Sequence, residues 1–119
     1  MKLNENQEKA MTTCMLSSEN FSYMMLNLVG EVGEFASKVA KAIRKGQIEV
    51  KNNKLDFTEF PTCVEQENEL MKEAGDILWQ LSGLCSVMGW NLEAVAQQNL
   101  DKLASRQQRN VIDGNGDNR

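Results

Sequence analysis

The chain of 119 residues contains no histidine. That absence removes the Ser-His-Asp triad, the Cys-His pair, the HExxH zinc site and the ExxH di-iron bundle together. Any chemistry has to come from carboxylates, amides, Lys and Arg. Cysteine is scarce, at Cys14, Cys63 and Cys85 only, an odd number with no CxxC spacing. This argues against a disulfide framework and against structural zinc, and leaves reduced thiols. Positive charge is also short: 13 basic residues against 17 acidic give a net charge of −4, so no field exists to attract a phosphate backbone and nucleic-acid binding is disfavoured. No apolar run approaches the ~20 residues that span a bilayer, and MKLNENQEKA lacks the apolar stretch of a signal peptide. The expectation is a cytoplasmic protein without a membrane partner.

Proline occurs once and β-branched clusters are few, so the chain reads as helical. Its length and ordinary hydrophobic fraction of 41% predict one domain over 1–119. Asn4 and Gln7 have capping-box spacing for a first helix from about 5 to 16, with Ala10, Met11, Cys14 and Met15 in one stripe. A second helix from about 19 to 45 carries Phe21, Met24, Met25, Leu28, Val32, Phe35, Val39 and Ala42, and closes on Lys41, Arg44, Lys45 and Gly46. Residues 47–61 have no clear period and predict a flexible loop, with a short extended piece at Ile48 to Val50. Thr62 and Glu65 look like a second capping box, opening a helix to Met88. Gly89 supplies a stop and Asn91 caps a fourth helix to about 107, before a Gly/Asn/Asp-rich tail over 108–119. The predicted fold class is all-α, a small antiparallel four-helix bundle.

The pattern breaks at LVGEVGEF, where Glu31 and Glu34 stand three apart beside Gly30 and Gly33. Each glycine costs about 1 kcal/mol relative to alanine in a helix, and its missing side chain lets a backbone or ligand come close. In KEAGDILW, Glu73 and Asp76 repeat the spacing beside Gly75. Two antiparallel helices would bring both pairs together as an oxygen-only site suited to Mg²⁺ or Mn²⁺, of the kind that handles substrate phosphates. The competing reading puts all four acids on solvated helix faces. Asn99, Lys102 and Arg106 share one face of the fourth helix, either as a polyphosphate grip or as an ordinary polar surface, and Lys38 is open to the same two readings. Candidates for a base pocket are Trp79, Tyr23, Phe21, Asn4 and Gln7, with the core role favoured over the pocket for Trp79.

Taken in order, GEVGE at 30–34, EAGDILW at 73–79, NLDKLASR at 99–106 and GNGDNR at 114–119 resemble the MazG-like family of all-α nucleoside triphosphate pyrophosphohydrolases. The resemblance covers most of the chain from Leu28 onward. It implies a Mg²⁺-dependent enzyme, with Mn²⁺ as a substitute, that cleaves a nucleoside triphosphate between the α and β phosphates. By position, Glu31, Glu34, Glu73 and Asp76 would be the metal ligands, and Glu34 would orient or deprotonate the attacking water. Lys38, Asn99, Lys102, Arg106, Trp79 and the tail's Arg119 would contact substrate. Lys72 and Gln80 depart from the pattern, standing where many relatives have a glutamate and an aromatic residue. Relatives place their sites at subunit contacts, so a homodimer or homotetramer is expected. The alternative from another class is a non-catalytic helical module that binds a cation or a basic partner.

Overall fold

The computed structural model describes residues 1–57 and 63–117. Four α-helices occur, α1 (Leu3–Met11), α2 (Phe21–Arg44), α3 (Cys63–Val87) and α4 (Leu92–Gln108), with a 3₁₀ turn at Leu16–Ser18. Between α2 and α3 stands an antiparallel hairpin of β1 (Ile48–Lys51) and β2 (Lys54–Phe57). The fold is therefore mostly helical rather than purely so. The flexible loop expected over 47–61 is corrected over its first part. Asn52 and Asn53 both take left-handed conformations, with φ 54° and 63°, and close the two-residue turn that pairs Lys51 with Lys54 and Ile48 with Phe57. Pro61 and the Thr62 half of the second capping box lie outside the described residues.

The central unit is the antiparallel pair of α2 and α3. Asn20 opens α2, its side chain accepting the Tyr23 N–H at 2.8 Å, and Gly46 at φ 73° closes it. At the open end of this pair Met24 is fully buried against Gly83, where an added Cβ would meet the methionine sulfur at 2.4 Å. A glycine is what lets the two helices come this close.

The single apolar stripe expected on α2 resolves into two. Met24, Leu28, Phe35, Val39 and Ala42 are buried or half-buried, whereas Phe21, Met25, Val29 and Val32 form an exposed line at spacings of four, four and three. The residues that a helix period collects thus include a flank, about 70° around the helix from the covered line, that this chain leaves open. Nor does one chain close a four-helix bundle. The radius of gyration is 17.7 Å, against about 13.5 Å for a compact chain of this length.

The first helix is shorter than expected. Thr12 and Thr13 turn their hydroxyls back onto the carbonyls of Lys9 and Ala10, at 2.6 and 2.7 Å, and end it at Met11. Asn4 and Gln7 do not cap α1, whose N-cap is Lys2 without a side-chain bond. They cap α4 instead. Gln7 Oε1 accepts the Leu92 N–H at 2.9 Å, Asn4 Oδ1 accepts that of Glu93 at 3.0 Å, and Asn91 accepts that of Ala94 at 2.8 Å. Three of the four donors that a helix start leaves unpaired are satisfied in this way, two of them from another helix. Gln7 Nε2 meanwhile donates to Ser86 Oγ and to the Trp90 carbonyl, both at 3.0 Å, tying α1 to the end of α3. These bonds remove Asn4 and Gln7 from the candidates for reading a base.

Replacing the buried Gln7 by alanine would orphan the Leu92 N–H and the Trp90 carbonyl. The Gln7→Ala variant is expected to lose about 2–3 kcal/mol in urea denaturation, with a smaller loss for Asn4→Ala at its wetter position.

Candidate metal centre

Antiparallel packing of α2 on α3 sets Glu31 opposite Asp76 and Lys38 opposite Glu73. Glu31, Glu73 and Asp76 each offer a carboxylate oxygen, and these oxygens lie within 4.8 Å of one another. The arrangement is graded in burial: Glu73 is 7% exposed, Glu31 half-buried and Asp76 open to solvent. Lys38 donates to Glu73 Oε1, which supplies the one cation bonded to the cluster among the described residues. Glu34 stands a turn along α2, exposed, with its charge close enough to act on Glu31. Three of the four expected ligands therefore converge directly, and the fourth stands outside the group, a turn along α2.

Such crowding leaves an electrostatic signature. Burial pushes the Glu31 carboxyl above the usual carboxylate range, and the negative charges of Glu34, Asp76 and Glu73 push it the same way. The hydrogen bond to Glu73, together with that residue's charge, holds the Lys38 ammonium above its ordinary value. Glu31 Oε2 and Glu73 Oε2 are nonetheless buried without a hydrogen-bond partner. Buried acceptors are rarely left unpaired, and two charged ones side by side fit a bound hard cation. The donor set contains only oxygen, which suits Mg²⁺ or Mn²⁺ over softer metals.

A second pattern escaped the sequence reading. Gln66 Oε1, Glu73 Oε2 and Gln80 Oε1 are all buried acceptors without partners, spaced seven residues apart on α3. They form a column facing α2. The signal was present as amides and an acid at heptad spacing along the seam of Leu70, Ile77 and Leu84, but polar residues at such positions look like interruptions until the partner helix is in place.

The expected basic face is divided. Asn99 and Lys102 line a cavity of about 480 Å³ with Leu78 and Leu81 of α3. Arg106, 4% exposed, and Lys102 both bond to Asp117 Oδ1, at 3.0 and 3.1 Å, and Arg106 also donates to the Gly116 carbonyl at 3.3 Å. These two cations hold Asp117 below the ordinary carboxylate range. A carboxylate thus stands where the sequence reading put phosphate. At 100° per residue, the α3 face carrying Leu78 and Leu81 lies roughly 140° around the helix from that of Glu73 and Asp76. Within one chain the basic face and the acidic cluster look in different directions.

Trp79 belongs to neither. Its indole N–H donates to the Ala10 carbonyl at 3.1 Å and to Thr13 Oγ1 at 3.0 Å, which places it in the α1–α3 contact and corrects its assignment to substrate. Phe21 and Tyr23 are exposed on α2, and Arg119 lies outside the described residues. Gly33 and Gly75 have nothing within 4 Å of an added Cβ, so inside this chain no backbone makes use of the room they leave.

Paired acids across two antiparallel helices gather three carboxylates into one candidate metal centre among the described residues. Residues 19–111 match the MazG nucleotide pyrophosphohydrolase domain, and the chain belongs to that family. It is similar to the Gene 37 protein of Mycobacterium phage L5, with 39% identity over 105 residues that cover 87% of this chain and 80% of that protein. No solved structure matches the chain significantly. No helix among the described residues is long and apolar enough to cross a membrane.

The raised Glu31 carboxyl fixes a sign. The folded state holds this proton more tightly than the unfolded one, so the contribution of Glu31 to the stability of the metal-free protein is fullest below the ordinary carboxylate range and is lost as pH rises through the raised value. Glu31→Gln is therefore expected to raise the metal-free Tm at neutral pH by a few degrees. Mg²⁺ at about 100 times its Kd should stabilise the wild type by ~2.7 kcal/mol and the variant by much less, as read by thermal melts with and without the ion.

Proposed function

We propose that this protein is a Mg²⁺-dependent nucleoside triphosphate pyrophosphohydrolase, cleaving an NTP or dNTP between the α and β phosphates to a monophosphate and pyrophosphate in nucleotide-pool housekeeping. The observation that carries the reading is the pair of buried, unpartnered oxygens of Glu31 and Glu73 within an oxygen-only cluster of a MazG domain. When bound, Mg²⁺ would neutralise phosphate charge and lower the pKa of water beside it. Glu31, Glu73 and Asp76 would hold the ion. Lys38, through its bond to Glu73, orients that carboxylate, which refines the substrate-contacting role first given to the lysine. Glu34, solvent-exposed beside the cluster, would take a proton from the attacking water. The water oxygen bonds to the α-phosphorus, the bond from that phosphorus to the bridging oxygen breaks, and pyrophosphate leaves with the electron pair.

The assembly proposed is a homodimer or homotetramer. Its support is area: the chain exposes 8727 Å², about 2,200 Å² more than a compact protein of 13.4 kDa. That excess is of the order an obligate interface buries from each partner. The exposed line of Phe21, Met25, Val29 and Val32 is the natural seat for a second copy. A second copy also resolves the split between acidic and basic faces, because its Lys102 and Arg106 would meet the triphosphate held by the first copy's carboxylates.

A panel of ribo- and deoxyribonucleoside triphosphates with Mg²⁺, separating monophosphate plus pyrophosphate from diphosphate plus phosphate, tests the reaction. Glu34→Gln is expected to lower kcat about 10²- to 10⁴-fold with the same products. Diphosphate as product, or turnover untouched by the substitution, would remove this reading, and absence of any turnover would favour the binding module. In sedimentation the wild type should run as a dimer or larger. Val29→Glu, which puts a charge into the apolar line, should shift it to monomer and abolish turnover.

A further inference from the structure

Beyond α4 the chain turns back on itself. The Val111 N–H bonds to the Arg106 carbonyl at 2.9 Å and the Gly114 N–H to that of Val111 at 3.1 Å, while Asn110 and Gly116 take left-handed conformations, with φ 62° and 78°. Residues 112–117 are exposed, so apolar burial does little to fasten them. Charge does more. Asp117 Oδ1 accepts from Lys102 and from Arg106 at once, and its own side chain stays 81% exposed while that of Arg106 is nearly buried. The bonds from Arg106 to Asp117 and to the Gly116 carbonyl both leave one terminal nitrogen, and Arg106 Nε is buried without a hydrogen-bond partner. A carboxylate thus holds the guanidinium by one corner, where a phosphate group could engage its fork through two nitrogens.

We infer that residues 110–117 form a strap whose Asp117 occupies the anion site of Lys102 and Arg106 in the ligand-free protein and yields it to a di- or triphosphate group. The inference rests on the proposed reaction for the identity of the anion, and adds how access to these two cations is controlled. Exchange, rather than simple release, follows from burial. A nearly buried guanidinium left without an anion is costly, so the strap departs as another anion arrives. Competition follows from exposure. Ion pairs open to water add little, and a ligand with several charges and acceptor oxygens outbids a single carboxylate. Freedom to move follows from the backbone: α4 closes on its own bonds, with the Arg109 N–H on the Ser105 carbonyl at 3.0 Å, before the strap begins. The consequence is a built-in competitor. While Asp117 is seated the site is closed, which weakens the apparent affinity for any polyphosphate, and its return after cleavage helps to expel pyrophosphate.

The test is equilibrium binding of pyrophosphate to the full chain in EDTA at fixed salt, which reads the two cations without the carboxylate centre. Asp117→Asn removes the competing charge. Gly116→Ala strains the left-handed turn and leaves the charge alone, so it carries the test should the first variant lose its fold. Both are expected to bind pyrophosphate about threefold tighter than wild type, or more. Asp113→Asn, the same loss of charge earlier on the exposed strap, should bind like wild type. Pyrophosphate should also speed hydrogen exchange over residues 110–117 of the wild type. Binding no tighter in Asp117→Asn, an equal gain in Asp113→Asn, no binding by any of the proteins, or exchange unchanged at saturating pyrophosphate overturns the strap. Turnover is read separately. With Mg²⁺ and a triphosphate, Asp117→Asn should strengthen product inhibition by pyrophosphate by the same factor. Tighter binding without stronger inhibition keeps the strap and takes Lys102 and Arg106 out of the substrate's path, and absence of turnover fails the reaction while the binding result decides the strap alone.

Discussion

Like charge forced into a helix–helix seam is the constraint on which the rest of this structure turns. Two unit charges 4 Å apart at a protein surface repel by about 4 kcal/mol, and here Glu31, Glu73 and Asp76 meet within 4.8 Å. The chain meets that repulsion in three ways. Lys38 bonds Glu73, the Glu31 carboxyl is held above its usual range, and packing on either side keeps the helices together regardless. Met24 against Gly83 clamps one side of the cluster, and the hairpin residues Ile48 and Phe57 cover the other. The acids do not hold α2 to α3; the apolar contacts on both sides hold them against each other.

That division explains what could be read from the residues alone. Helix existence was legible, because periodicity, Asn91, Gly46 and Gly89 are local signals with local causes. The acidic pairs were legible because three-residue spacing fixes a face whatever the partner. The hairpin was only half visible: Ile48 to Val50 reads as extended, but an Asn-Asn turn lacks the glycine that ordinarily marks such a connection. Asn4 and Gln7 misled for a different reason. Their spacing fits a local cap, yet their side chains serve a helix start 85 or more residues away, and no local rule foresees a donor group brought in by tertiary packing. The two stripes on α2 were merged because a helix period marks apolar positions without saying which neighbour each one faces.

The first helix, short and polar for its role, works as a bracket. Through Trp79 it is bound to the middle of α3, and through Gln7 and Asn4 to the start of α4. It thereby sets the angle at which the helix bearing Lys102 and Arg106 leaves the central pair. The tail completes this arm, since Asp117 accepts from both cations and keeps the nearly buried Arg106 bonded. One protomer is thus built as an acidic helical pair and an arm whose acids and bases nearly balance.

The heptad column on α3 bears on how such a chain is free to change in length. Gln66, Glu73 and Gln80 face one groove only because whole numbers of near-complete turns separate them. Inserting or deleting a single residue between them would rotate everything downstream by about 100°, carrying Glu73 or Gln80 out of the seam. Substitutions along this stretch exchange one side chain at a time, whereas a change of one residue in length dismantles the groove at once. The hairpin has no such lock: its tip at Asn52 and Asn53 is exposed, and the strands can grow by pairs without moving either helix. On this plan the hairpin is the place where length is free to change, and α3 is the ruler that holds it fixed.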